Sequence, residues 1–173
     1  MPSTLHDISV LNYSQHLDSL GSVLDKGLAC FREKNIAPEE VVETRLYPDM
    51  LPFRFQVQSV VHHSIGTIDA LKAGCFRPPR NLPQSSYAEL QALVADAKRK
   101  MQAVGPDEIN ALAGKEMVFE FGERKIPFTA EGFVLSFSLP NFYFHATTAY
   151  DILRSKGVPI GKRDYLGRLR LKS

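Results

Sequence analysis

Among the residues that could do chemistry, His145 stands apart. It sits in Pro140-Asn141-Phe142-Tyr143-Phe144-His145-Ala146-Thr147-Thr148-Ala149-Tyr150, a stretch otherwise dominated by aromatic and small residues. A polar group buried without a partner costs about 1–3 kcal/mol, so a histidine on such a helix needs partners. Asn141 lies one turn earlier and Thr148 nearly one turn later, which puts all three on one helix face. That polar ridge reads in two ways. It is either a satisfied network in the core or a site wall that supplies a metal ligand or a general base. His62 and His63 are neighbours about 100° apart on a helix, so only one of them can face a given site. The plain reading of both is solvent or the flank of an apolar stripe. His6 and His16 read as surface residues at or near the first helix. A second polar group comprises Arg45, Tyr47, Asp49, Arg54, Gln56 and Gln58. In it, Asp49 is placed to cap the helix that follows.

Other chemistries lack their motifs. The chain has no Gly-rich phosphate loop, no Walker motif, no G-x-S-x-G and no H-E-x-x-H. Its two cysteines, Cys30 and Cys75, exclude a disulfide-stapled scaffold and a four-Cys zinc site, and neither has an adjacent basic residue to activate it. The 173 residues carry a net charge of +2, with 23% charged and 44% hydrophobic residues, which suits one globular domain with its own core. The first twenty residues do not read as a signal peptide. The apolar run from Ile126 to Leu153 is too interrupted to span a membrane. The expectation is a cytoplasmic protein with reduced thiols. From Arg154 onward there are seven basic residues and one acid, so a basic tail follows a mildly acidic body. Arg163, Arg168, Arg170 and Lys172 could touch phosphates. No recognition motif accompanies them, and the near-neutral total argues against nucleic acid. Part of the tail is expected to lie against the body, with residues 168–173 mobile.

The elements that must position these residues are mainly helical. Val10, Leu17, Leu24 and Phe31 repeat every seven residues, with Leu20 and Leu28 on the same face, which predicts a helix over 7–34. Pro38 heads a short helix to Arg45. Pro52 suits the first position of a second long helix, running to Ala73 and ended by Gly74. Cys75 to Gln84 holds three prolines and reads as an extended crossing loop. Ser86 and Glu89 form a capping box for a third helix to about Val104, and 107–113 can add one turn. Residues 115–128 alternate with period two and predict a β-hairpin turning at Gly122-Glu123. Thr129 then caps a last long helix, 130–156, which Pro140 should kink. Phe133, Phe137 and Phe144 share one face of it, and Leu135, Leu139, Phe142 and Leu153 another, which predicts burial on most sides. The fold class is therefore mainly α: a four-helix bundle with a small β-hairpin before the last long helix. Residues 1–157 form the bundle and 158–173 a tail without a helical stripe.

Two segments carry a resemblance: Arg45 to Pro52 with Gln56-Val57-Gln58, and Leu139 to Gly167, LPNFYFHATTAYDILRSKGVPIGKRDYLG. They resemble a family of unknown function within the DinB-like superfamily of helical bundles. That superfamily contains metalloenzymes, including thiol transferases. The resemblance implies one histidine from the second helix and an H-x-x-x-H pair from the last long helix, the second followed by Leu-Arg-x-x-Gly. Leu153-Arg154-x-x-Gly157 follows His145, so His145 matches the second position of the pair. The first falls on Asn141, and the helix-two position on His62 or His63. The implied metal set is His145, His62 and Asn141, holding zinc or nickel. Asn is a poor ligand for either, so the site is degenerate, and the metal is weakly bound or lost.

Two functions fit. The first is a small-molecule enzyme for proton transfer, isomerisation, cyclisation or group transfer, with a pocket between helix two and the last helix. His145, Tyr143 and Tyr150 are its candidate catalytic residues. Asn141, Phe137, Phe144 and Gln58 are its candidate ligand-binding residues, suited to an apolar or aromatic small molecule. The second is a non-catalytic protein that has lost the metal site and binds a ligand or pairs as a homodimer.

Overall fold

The computed structural model describes residues 3–79 and 82–172. Met1, Pro2 and Ser173 lie outside the described residues, as do Arg80 and Asn81 of the crossing loop. The first helix is divided into α1 (Leu5–Ile8) and α2 (Val10–Glu33). At the break, the buried Ser9 Oγ donates to the Leu5 carbonyl at 2.6 Å. After α3 (Pro38–Val42), the second long helix divides in the same way, into α4 (Phe53–His62) and α5 (Ile65–Ala73). Here the buried Ser64 Oγ donates to the Val60 carbonyl at 2.8 Å. Neither break contains proline or glycine. In each, a serine hydroxyl bonds back to the carbonyl four residues earlier, which competes with the helix ladder. Asp49 does not cap α4: Pro52 occupies that position without a side-chain bond, and Asp49 is exposed in the preceding turn.

The crossing segment leads to α6 (Tyr87–Gln102), which opens on the expected capping box, with Ser86 Oγ accepting from the Glu89 N–H. A single turn, α7 (Pro106–Asn110), follows. The hairpin is β2 (Glu116–Phe121) and β3 (Arg124–Thr129), antiparallel with Phe119 opposite Ile126. The start of the expected loop is instead a third strand, β1 (Cys75–Phe76), parallel to β2 with Phe76 beside Phe119.

The last helix comprises α8 (Ala130–Phe133), a π-helical turn (Val134–Ser138) and α9 (Leu139–Ser155). Thr129 Oγ1 caps it by accepting from the Gly132 N–H at 3.0 Å. Just before Pro140, where a kink was expected, the helix widens into this turn, in which the Leu139 N–H reaches back to the Val134 carbonyl. Proline thereby sits in the first turn of α9, where its missing N–H costs little. A π turn takes up an extra residue and shifts the faces on either side of it. Phe133 is buried, whereas Leu135 and Phe144 are exposed, so the helix is less enclosed than its stripes predict.

Four corners close the bundle. α2 packs against α6 and α9, and α4 packs against the same two. Leu17, Leu24, Val57, Val60, Leu90 and Phe142 fill the centre. The architecture is the expected four-helix bundle with a small sheet. Beyond Gly157 the chain folds back, burying Val158 and Ile160, and forms α10 (Lys162–Leu166) against α2. Ser19 Oγ lies 2.6 Å from the Tyr165 carbonyl, and Gln15 Nε2 donates to the Leu166 carbonyl at 2.9 Å. Lys26 pairs with Asp164 at 2.5 Å. Among the described residues, no helix is long and apolar enough to cross a membrane.

Candidate functional site

The interface of α4 and α9 contains Gln56, which is almost fully buried. Its Nε2 donates to the Leu51 carbonyl at 2.8 Å. A carbonyl only accepts, so that bond fixes which end of the amide is which. The other end, Oε1, lies 2.8 Å from His145 Nδ1. An amide oxygen also only accepts, so the proton sits on Nδ1 and Nε2 keeps its lone pair. The rings of Phe55 and Phe144 meet the imidazole edge to face, at 5.8 and 5.3 Å between centroids. Burial pushes the His145 pKa down to about 4, so the ring is neutral at pH 7.

Of the two adjacent histidines, His63 faces this site. Its ring stacks on that of His145 at 5.9 Å and 18°, and packs on Phe76 and Phe137. His63 Nδ1 is buried without a hydrogen-bond partner among the described residues. Burial first, and then repulsion from His62 and His145, push its pKa down to about 3. His63 is placed by the break in the second helix. Its carbonyl accepts from Ser138 Oγ at 2.8 Å and from Thr67 Oγ1 at 3.1 Å. The Tyr13 hydroxyl joins Ser138 Oγ at 2.7 Å. The break of one helix and the π turn of another therefore meet in a buried hydroxyl cluster.

The remaining candidates are dispersed. His62 is turned away from His145, its Nε2 donating to the Arg77 carbonyl at 3.0 Å. Asn141 Nδ2 donates to the Phe137 carbonyl at 2.7 Å, and Thr148 Oγ1 to the Phe144 carbonyl at 2.8 Å. The polar ridge is thus satisfied by its own helix backbone rather than by His145. Tyr143 lies against His16, ring centroids 5.0 Å apart. Tyr150 lies against Tyr165, its hydroxyl 3.4 Å from the Ile160 carbonyl. His16, expected at the surface, is half-buried beneath Tyr143 and Tyr165 because the tail folds over it. Gln58 points toward the crossing loop, with Nε2 donating to the Pro83 carbonyl at 2.9 Å. Phe137 joins a cluster with Phe76, Phe119 and Phe133, beside His63. The structure therefore gathers His145, His63, Gln56, Phe55, Phe137 and Phe144. Gln56 was visible only as one of a polar group, because its partner comes from a helix nearly ninety residues away. A groove of about 530 Å³ lies on the outer side of the second helix, where Gln58 and His62 line it.

The profile of a family described as a domain of unknown function (DUF1993) matches residues 5–166. The chain belongs to the DUF1993 family. It is also similar to the crystal structure of a DinB family member protein from Shewanella denitrificans. The two are 26% identical with a TM-score of 0.82, over 98% of this chain and 95% of that one. The DUF1993 chain accordingly lies within the DinB-like superfamily. No curated protein matches it.

The superfamily implies a metal, and the donors present can be tested for one. Among the described residues, no three His, Cys, Asp or Glu side chains come together as a ligand set. His145 Nδ1 is held by Gln56, and the Asn141 amide nitrogen by its own helix. His63 packs against His145, and no third His, Cys, Asp or Glu among the described residues joins the two as a ligand set. His62 is tied to Arg77. These residues do not fit zinc or nickel, which want converging imidazole or thiolate donors.

Proposed function

We propose that this DUF1993 protein is a small-molecule-binding protein whose site is His145 Nε2, working without a metal. The observation that carries this reading is the Gln56 clamp. With Nδ1–H engaged by Gln56, the imidazole offers a ligand one lone pair, on Nε2. Such an atom accepts a hydrogen bond from an O–H or N–H. It is a weak base: with a pKa of about 4, holding a proton at pH 7 would cost about 4 kcal/mol. That cost favours binding a donor over abstracting its proton. The tyrosines suggested as catalytic partners lie against His16 and Tyr165 instead, which supports the same choice. Phe55, Phe144 and His63 border the imidazole and suit a flat apolar or aromatic ligand. Two unpaired thiols, Cys30 and Cys75, are compatible with a reducing, cytoplasmic setting.

The test is nitrogen-15 NMR of the His145 ring during titration with small phenols and anilines, paired with their methylated analogues. The donors are expected to shift Nε2, the methylated forms to leave it unmoved, and His145→Ala to abolish binding. Equal binding of both sets, or binding that survives His145→Ala, would contradict the reading.

A further inference from the structure

A second site lies on the opposite flank of the second helix. The groove there, about 530 Å³, is lined by Gln58, His62, Ile65 and Asp69 from α4 and α5, by Pro83 from the crossing loop and by Leu93 from α6. Its volume is in the range of small-molecule sites. Its apolar walls are continuous with the core, since Val61 and Ile65 line it too.

In this lining the fixed donors of Gln58 and His62 are already spent, and the polar atoms they leave over are acceptors. Gln58 is 4% exposed, and its Nε2 is spent on the Pro83 carbonyl and Ser85 Oγ. A carbonyl can only accept, so the amide is fixed, and Oε1 is left as a buried acceptor without a partner among the described residues. His62 repeats the pattern. Its Nε2–H donates to the Arg77 carbonyl, which leaves Nδ1 as a lone pair in the neutral ring. That nitrogen lies over Gly66, where a Cβ would come within 3.3 Å of it, and Gly66 is itself part of the lining. Asp69 and Glu89 add carboxylates at the rim. Glu89 Oε2 is used by the Ser86 N–H and hydroxyl.

We infer that this groove binds a small apolar molecule bearing a protonated amine. Its ammonium group supplies donors to Gln58 Oε1, His62 Nδ1 and Asp69, which have none among the described residues, while its hydrocarbon part covers Val61, Ile65 and Leu93. The site is separate from His145 and does not depend on the reading given for it. A buried unpaired acceptor costs stability, and a donor that reaches it recovers that cost on binding. The carboxylates select a cation over a neutral or anionic molecule of the same shape.

The experiment is titration of the intact chain with 2-phenylethylamine, 2-phenylethanol and phenylacetate, followed by calorimetry and by backbone amide shifts. The amine is expected to saturate, with shifts confined to α4, α5, residues 82–85 and the start of α6. The alcohol is expected to bind more weakly, and the acid not at all. Asp69→Asn, at an exposed position, should weaken the amine about three- to five-fold without altering the fold. Gln58→Leu should weaken it further, and His145→Ala should leave it unchanged. Equal binding of amine and alcohol, no saturation by the amine, or shifts centred on His145 would overturn the proposal.

Discussion

Where one proton sits decides what His145 offers a ligand. The Leu51 carbonyl orients Gln56, Gln56 orients the imidazole through Nδ1, and Nε2 is left with the lone pair. Replacing Gln56 with Leu removes the acceptor for Nδ1–H and the donor for Leu51. We expect a loss of about 1–3 kcal/mol in urea unfolding, together with a shift of the His145 tautomer that nitrogen-15 NMR would report. An unchanged tautomer would show that the clamp does not set it. The neutral His63–His145 stack also predicts an acid response. An unperturbed histidine titrates near 6.5, whereas the folded values are about 4 for His145 and about 3 for His63. Both are depressed bases, so below pH 6.5 the unfolded chain binds more protons than the folded one. Stability therefore falls with pH, by up to about 1.4 kcal/mol per unit for each ring, and each effect levels off below its folded pKa. Urea unfolding between pH 7 and 4 should show this, with a shallower slope for His63→Phe. An identical slope would remove His63 from the account. At this scale the sequence singled out His145 through its aromatic setting. The choice of His63 over His62 was not legible, because contacts with distant segments make it: His63 packs on Phe137 and His145, while His62 bonds to the Arg77 carbonyl.

Helix breaks, rather than helices, place the two rings. Ser64 interrupts the second helix beside His63, and Ser138 ends the π turn before α9. Ser138 Oγ touches Tyr13, Thr67 and the His63 carbonyl, all within 2.8 Å. Ser138→Ala should leave buried hydroxyls and a carbonyl short of partners. We expect a destabilisation of about 1–3 kcal/mol, with chemical-shift changes reaching the His63 and His145 rings. A neutral effect would mean that the cluster does not carry the geometry. In the tail, Gly167 has φ 64°, and a Cβ there would come within 3.2 Å of the Ser19 Cβ. Gly167→Ala should therefore cost about 1–3 kcal/mol of thermal stability by loosening α10 from α2. The capped starts at Ser86 and Thr129 were readable because a cap is a local bond between near neighbours. The serine breaks were not, since helical apolar spacing continues straight through them. Nor was β1, two residues long and paired with a strand forty residues on. Pro140 gave a true warning of irregularity, which the chain shows as a wider turn just upstream.

At the scale of the molecule, heptad spacing, capping signals and the period-two stretch were enough for a four-helix bundle with a hairpin, and the DinB-like likeness agrees. The site within it was only half legible. The resemblance carries a metal-binding pattern, and this chain keeps its outline while directing each donor elsewhere. Gln56 takes His145, Arg77 takes His62, and the Phe137 carbonyl takes Asn141. Those diversions depend on contacts between distant segments, which residue spacing does not report. The central claim is that, among the described residues, they leave no ligand set behind. Its most direct test is metal content: zinc and nickel measured per chain in protein purified without chelator, followed by titration of each ion into the wild type and His145→Ala. The account predicts far less than one metal per chain and no saturable binding that His145→Ala removes. One tightly held zinc or nickel per chain, lost in His145→Ala, would contradict it.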